Sequence, residues 1–377
     1  MKVSLFRGLA SENAPSMEIY TKELVNILQA KYLAADAITI FRSPEVRIPG
    51  FLSHSRRVTT TLSEVSRYFL QPTQVKQAKG DVNHIIQHID GHLVDKLGTE
   101  RTVVTCFDLT PLEMDGIYRN FFSQNWGKRL FLYALSGMAR ARAIITLSEH
   151  TKNDIIKHVD CDPSKVFVIP IGVEQTFTKV DDPTLLLAIR QKYSLPTTYY
   201  YVLHIGNCNS YKNIEGIFYV LEKLLQKHRE KVKLIKVGGD FTPAQKRIIS
   251  KLRLEENVIH LGNVTQDEIT LIYNIADILL FPSFHEGFGL PLLEAMACGT
   301  PVVASNTSSL PEVIGDAGLM HNPEDYDGFA ESIANVFNDP TLREKLIAKG
   351  LQRAKLFSWE KHVDKVFEIY TEIYQNS

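Results

Sequence analysis

Short apolar runs alternate with longer amphipathic stretches along this chain, and that alternation restricts the fold more than any other feature of the sequence. A strand buried on both faces of a parallel sheet reads as a near-continuous apolar run, and each such strand needs a crossover, usually a helix, to reach the next. Strands are expected at 2–6, 37–41, 83–87, 102–106, 143–147 and 166–170, then at 200–205, 232–237, 258–261, 277–281 and 301–304, with a helix over 17–33. A polar connection at 178–196 separates the two series, and 377 residues exceed what one core usually organises. The fold class expected is α/β: two Rossmann-like, doubly wound parallel-sheet domains facing a central cleft, over 1–177 and 178–357, with a last helix at about 358–377.

Composition removes several function classes. A net charge of −1 supplies no field for nucleic acid, so no nucleic-acid partner is expected. The cysteines, Cys106, Cys161, Cys208 and Cys298, are far apart and form no CxxC, which suits free thiols in a reducing compartment better than disulfides or a zinc site. No run approaches the roughly 20 apolar residues of a membrane span, and MKVSLF reads as a first strand rather than a signal peptide. A soluble, cytoplasmic protein is expected. The sequence contains neither an internal repeat nor a low-complexity segment.

The segment 276–318, ADILLFPSFHEGFGLPLLEAMACGTPVVASNTSSLPEVIGDAG, carries the chemistry. The apolar DILLF is a buried strand, Gly287 and Gly289 let the backbone approach a ligand, Pro291 suits the first turn of a helix, and Gly299 suits its C-terminal cap. A strand, a glycine turn and a helix in this order aim unpaired N–H groups and the positive end of the helix dipole at an anion. Two carboxylates, Glu286 in the turn and Glu294 in the first turn of the helix, are expected to border one pocket.

This segment resembles the retaining glycosyltransferases of family 4, the glycogen-synthase-like group with a GT-B fold, whose signature is E-x7-E. Glu286 and Glu294 match its two acidic positions. The resemblance implies that Glu286 contacts the donor sugar near its reacting face and that Glu294 binds the ribose of the nucleotide. It extends over most of the chain: YVLHIGNCNSYKNIEGI at 201–217 matches the first strand–turn–helix of the donor domain, with Gly206, Lys212 and Asn213 in place. LIKVGG and VIHLGNVTQDEITLIYNIADILLFPS match the elements that border the base, which adds Gly238 and Val264 to the donor-binding set of Gly206, Asn207, Gly287, Phe288, Gly289, Leu290 and Glu294. LSEHTKNDIIKHVDCDPSKVFVIPIGVE matches the end of the first domain, with Ser148 and the Pro170–Gly172 turn, and the helix at 358–377 matches one that packs back on that domain. The apolar Val363, Val366, Phe367, Tyr370 and Ile373 keep its helical period.

Lys212, placed after a strand and a glycine turn, can reach a pyrophosphate and neutralise a departing nucleoside diphosphate. Many relatives carry an arginine as a second cation nearby; here Asn207 and Tyr211 occupy those positions. Further departures lie in the first domain. Ser16 and Met17 stand where the family often has Gly-Gly, and Phe107 precedes Asp108 where a histidine is common. Ser16, Asp108, Ser148 and His84 are candidate cleft residues, His84 approaching the acceptor from a strand end. His84, His88 and His92 recur every four residues, but a strand pattern at 83–87 and Gly91 argue against the single helix a three-histidine metal site would need. No metal site is expected.

The expected activity is transfer of a hexosyl group, mannose or glucose, from a nucleotide-diphosphate sugar such as GDP-mannose or UDP-glucose to a hydroxyl of a glycan or lipid-linked acceptor, with no cofactor. The alternatives are a non-catalytic nucleotide-sugar-binding or regulatory subunit, opposed by intact Glu286, Glu294 and Lys212, and a phosphorylase of the same architecture. Between Arg42 and Lys79, seven basic residues (Arg42, Arg47, Arg56, Arg57, Arg67, Lys76, Lys79) face two acidic ones, interleaved with Phe51, Leu52, Tyr68 and Phe69. That segment is expected to touch an anionic membrane surface or glycan. Closure of the two domains around the donor is expected during turnover.

Overall fold

In the computed structural model, which describes residues 1–9, 15–43, 66–114, 124–228 and 231–376, the apolar runs pair into two six-stranded parallel sheets. The first contains β1 (Val3–Leu9), β2 (Ile38–Ser43), β3 (Val82–Ile85), β4 (Thr102–Cys106), β5 (Ala143–Thr146) and β6 (Val166–Val168), in the order β2-β1-β3-β4-β5-β6. The second contains β7 (Tyr200–Ile205), β8 (Val232–Val237), β9 (Val258–Gly262), β10 (Ile278–Phe281), β11 (Val302–Ser305) and β12 (Leu319–His321), in the order β12-β11-β10-β7-β8-β9. Sequence reasoning omits β12: three half-buried residues at a sheet edge, Leu-Met-His, carry too little apolar periodicity to register.

The chain divides into two compact units, Met1–Ile171 with Trp359–Ser377, and Gly172–Ser358. In the first, the helix Pro15–Lys31 buries Tyr20, Leu24 and Leu28, and Phe6, Ile85, Val104 and Ile144 fill the core against Leu135 and Met138. The helix Trp359–Gln375 belongs to this unit. It buries Val363, Val366, Tyr370 and Ile373 on one face, and Phe367 stacks on Tyr32 with centroids 4.0 Å apart. In the second unit the helix Ile214–His228 presents Ile214, Ile217, Phe218, Leu221 and Leu224 to the sheet, the 3–4 spacing of an amphipathic helix. Each such side chain contributes about 1.5–3 kcal/mol by leaving water. All four cysteines are free thiols, and among the described residues no helix is long and apolar enough to cross a membrane.

Two expectations for the first unit change. His84 is not a residue of an open strand end. It is fully buried on β3, its Nδ1 hydrogen-bonded with the Tyr370 hydroxyl at 2.5 Å and its Nε2 with Thr105 Oγ1 at 2.7 Å, and burial holds its pKa down to about 3. A neutral imidazole satisfied at both nitrogens is a core residue that joins β3, β4 and the C-terminal helix. The three-histidine spacing dissolves likewise, because His88 and His92 lie in a 3-10 turn, His88–Leu93, while His84 lies on a strand.

Arg67 is also not part of an exposed basic face. Its guanidinium donates to Asp90 at 2.6 Å with both side chains almost fully buried, and removing either partner of such a pair strands a charge. Of the expected membrane-contacting residues, Arg47, Phe51, Leu52, Arg56 and Arg57 lie outside the described residues. Phe69 is 71% exposed, and Lys76 and Lys79 are exposed.

Candidate active site

In the second sheet the strand order reverses between β7 and β10, the position at which a doubly wound sheet opens a crevice beyond the carboxyl ends of its strands. The two segments that leave these strands carry the residues singled out by sequence.

After β7 the chain turns at Gly206, whose φ is +147°, and runs through a short 3-10 turn, Ser210–Lys212, before the helix Ile214–His228. Asn213 sits in the left-handed region at φ 53° and fixes the junction: its side-chain amide donates to the carbonyls of Pro282 at 3.1 Å and Pro323 at 2.8 Å, while its Oδ1 accepts from Gly216 N. Gly238, at φ +96°, lies so near this turn that a Cβ there would fall 2.5 Å from the Gly206 carbonyl oxygen, so only glycine fits. Asn207 is exposed, and its amide donates to the Tyr211 hydroxyl at 3.3 Å.

After β10, Glu286 is braced from the segment that follows β11. Its N–H donates to Ser308 Oγ at 3.0 Å, and Ser309 Oγ donates to the carbonyls of Glu286 at 2.8 Å and Phe288 at 3.1 Å. Gly289 caps the helix Leu290–Ala297 with φ +103°, Pro291 lies in its first turn, and Gly299 follows its end at φ +76°. Glu294 opens the second turn of this helix rather than lying in the first. Leu290 and Gly287 are half-buried, and Phe288 is buried.

The two segments meet at one contact. Lys212 Nζ donates to Glu286 Oε1 at 2.7 Å, with each side chain 11% exposed. The ammonium also lies 5.0 Å from the Phe281 ring centroid and 5.5 Å from that of Tyr211. A cation and a carboxylate poised together beside a glycine turn suit a ligand that carries negative charge and hydroxyl groups, since the lysine can accept the first and the carboxylate can orient the second.

Glu294 is held by a different residue. Its Oε2 accepts from the Tyr273 hydroxyl at 2.6 Å. Although the residue as a whole is half-buried, desolvation dominates at the carboxyl and pushes its pKa up to about 7; the Tyr273 hydrogen bond opposes this and the Glu174 charge adds to it. Val264, in the loop after β9, is half-buried.

In the first unit, Ser148 is buried as the N-cap of the helix Glu149–His158, accepting from Thr151 N at 3.1 Å. Asp108 is half-buried and accepts from Thr110 N at 2.9 Å, and Phe107 packs edge-on against Tyr20 at 5.3 Å. Ser16 is exposed in the first turn of the helix Pro15–Lys31.

Sequence reasoning missed Ser308, Ser309 and Tyr273, which hold Glu286 and Glu294. The hydroxyl run NTSS ahead of Leu-Pro is the signal that was available for the first two. It also missed His204 and Lys236, two polar residues inside strands otherwise apolar enough to be buried on both faces.

Two doubly wound six-stranded parallel-sheet units are the architecture of the GT-B fold. Residues 187–353 match the family model described as glycosyl transferases group 1, and residues 18–177 match the one described as glycosyltransferase family 4. Together the two matches span most of the chain, and neither alone covers half of it. It is 34% identical over 232 residues, 61% of this chain and 60% of the relative, to O-antigen chain mannosyltransferase B of Escherichia coli. It is 30% identical over 282 residues, 74% of this chain and 34% of the relative, to the serotype-specific mannosyltransferase WbdA of the same species. The chain thus spans less than two thirds of the length of either. Among solved structures, sucrose-phosphate synthase of Thermosynechococcus elongatus matches with a TM-score of 0.78 at 20% identity, covering all of both chains. HepE of Anabaena in complex with UDP-glucose matches with a TM-score of 0.76 at 17% identity over 99% of this chain and 100% of that one. At these identities the likeness to the solved structures is one of fold.

Proposed function

We propose that this chain transfers a hexosyl group from a nucleoside-diphosphate sugar to a hydroxyl of a glycan or lipid-linked acceptor, with retention of anomeric configuration and without a metal ion. The observation that carries the reading is the Lys212–Glu286 contact at 2.7 Å, at the switch point of the second sheet and beside two glycine turns. In the proposed reaction the bond from the anomeric carbon to the diphosphate oxygen breaks while the acceptor oxygen bonds to the same face of that carbon. The acceptor proton passes to the departing phosphate. Lys212 and the N–H groups at the start of the helix Leu290–Ala297 take up the charge that grows on the diphosphate, and Glu286 orients the sugar hydroxyls. Mannose is the sugar supported by the names of the two E. coli relatives, which ranks GDP-mannose above UDP-glucose.

A donor screen tests this reading. Incubation with GDP-mannose and UDP-glucose should release free nucleoside diphosphate (GDP or UDP) from one donor, and that nucleoside diphosphate at about 100 times its Kd should add roughly 2.7 kcal/mol of stability, read as a rise in Tm. Absence of both release and stabilisation across the nucleotides would overturn it.

The elevated pKa of Glu294 adds a pH dependence. Below about 7 the carboxyl holds its proton; above it the carboxylate can accept from two ribose hydroxyls. Affinity for the parent nucleoside, which has no phosphate to titrate, should therefore rise about 5- to 10-fold between roughly pH 6 and 8. Glu294→Gln should flatten that profile, and calorimetric titration at both pH values checks it.

A further inference from the structure

On β8, Lys236 lies within a sheet strand of the second unit and is fully buried, in register with His204 on β7. A lysine is seldom tolerated there, because removing an ammonium from water costs several kcal/mol unless its protons are accepted. Here they are. Nζ donates to the carbonyls of Gly206 at 2.6 Å and Val237 at 2.8 Å, with that of Gly239 at 3.5 Å, so the side chain ties together the glycine turns that follow β7 and β8. Three carbonyls offer only acceptors, which calls for an ammonium with three N–H donors.

The contact with Gly206 sets the direction of a peptide. Among the described residues no peptide bond is cis, and in a trans peptide the C=O and the following N–H point opposite ways. Drawing the Gly206 carbonyl inward to Nζ turns the Asn207 N–H outward, away from the sheet. The Gly239 N–H donates to the same carbonyl at 3.1 Å and reinforces this orientation. His204 contributes no competing charge: its Nδ1 donates to the Leu280 carbonyl at 3.1 Å, and burial, aided by the charges of Lys236 and Lys212, lowers its pKa to about 3. Burial lowers the pKa of Lys236 from its ordinary value; Cys208 and Asp240 raise it and the Lys212 charge lowers it, while the three carbonyls accept from its ammonium.

We infer that Lys236 is a positioning residue for the diphosphate of the donor: it holds the Gly206–Asn207 peptide with its N–H aimed at that anion and places a second positive charge behind the turn. This inference rests on the nucleotide-sugar reading above. Asn207 offers a hydrogen bond but no charge, and Lys236 supplies the charge from the buried side of the same turn.

The test compares wild type with K236M by titration calorimetry, using GDP and UDP with guanosine and uridine as phosphate-free controls. For the base that wild type binds, K236M should weaken the diphosphate about 10-fold or more while changing the nucleoside less than about twofold. Steady-state kinetics should show the corresponding loss in kcat/KM. K236Q, which retains a donor and lacks the charge, carries the same expectation and serves if K236M does not fold. Equal weakening of nucleoside and diphosphate, or no weakening of either, in whichever variant folds would overturn the role of Lys236 while leaving nucleotide binding intact. If wild type binds neither diphosphate, the nucleotide-sugar reading falls and this inference falls with it.

Discussion

Lys212→Ala should lower the rate of glycosyl transfer roughly 100- to 1000-fold while leaving the fold in place, the loss typical of removing one preorganised donor to a developing oxyanion. The site makes the magnitude reasonable. Lys212 is buried, held at the end of a 3-10 turn and fixed against Glu286, so its ammonium does not have to be ordered or stripped of water during the reaction. Wild-type activity should persist when a chelator is added, since in the proposed mechanism protein charge meets the diphosphate. Far-ultraviolet circular dichroism and Tm would confirm that the variant folds, and single-turnover kinetics would report the chemical step. Loss of wild-type activity to a chelator with recovery on magnesium or manganese, beside a Lys212→Ala variant of nearly normal rate, would refute the assignment.

Glu286→Gln should be comparably damaging, on the order of 100-fold, through misplacement of the sugar. The substitution keeps the shape and removes the charge, so it also leaves the Lys212 ammonium without the carboxylate it contacts at 2.7 Å. Because the two side chains touch, their losses should not add. The double variant should be only modestly worse than either single one, and a coupling measured from the four rates would register the contact directly. Fully additive losses would mean that the two residues act on separate steps.

Much of the fold was legible because its strands are buried on both faces. Runs such as YYVLHI, ILLF and VVAS are apolar without alternation, and a parallel sheet is the setting in which that pattern satisfies both the side chains and the backbone. β12 was illegible for the opposite reason, being short and only half-buried. The candidate site was readable where unusual residue types cluster, as with the glycines and carboxylates between Glu286 and Gly299. Residues that work by holding others left weaker traces. Ser308 and Ser309 look like ordinary turn residues until they are seen bonding the Glu286 loop, and Lys236 reads as an exposed charge until its burial is known. His84 was misread because a polar residue on a strand attracts a chemical role, whereas its partners Tyr370 and Thr105 lie far away in sequence. Arg67 was misread likewise, its partner Asp90 being reached only through the fold.

The division of the chain has a consequence for how the molecule is made. The second unit is one continuous stretch, Gly172–Ser358, whereas the first is interrupted and takes in Trp359–Ser377. On a ribosome the segment that begins first is therefore completed last. Until Tyr370 and His362 emerge, His84 and Tyr20 lack hydrogen-bonding partners that they have in the finished unit, and the apolar surface that receives Val363 and Val366 stays open to water. Domains usually mature in the order in which they are synthesised. Here the second unit is complete in the chain at Ser358 while the first still waits for its last helix, so of the two units the first keeps apolar surface open to water for longer.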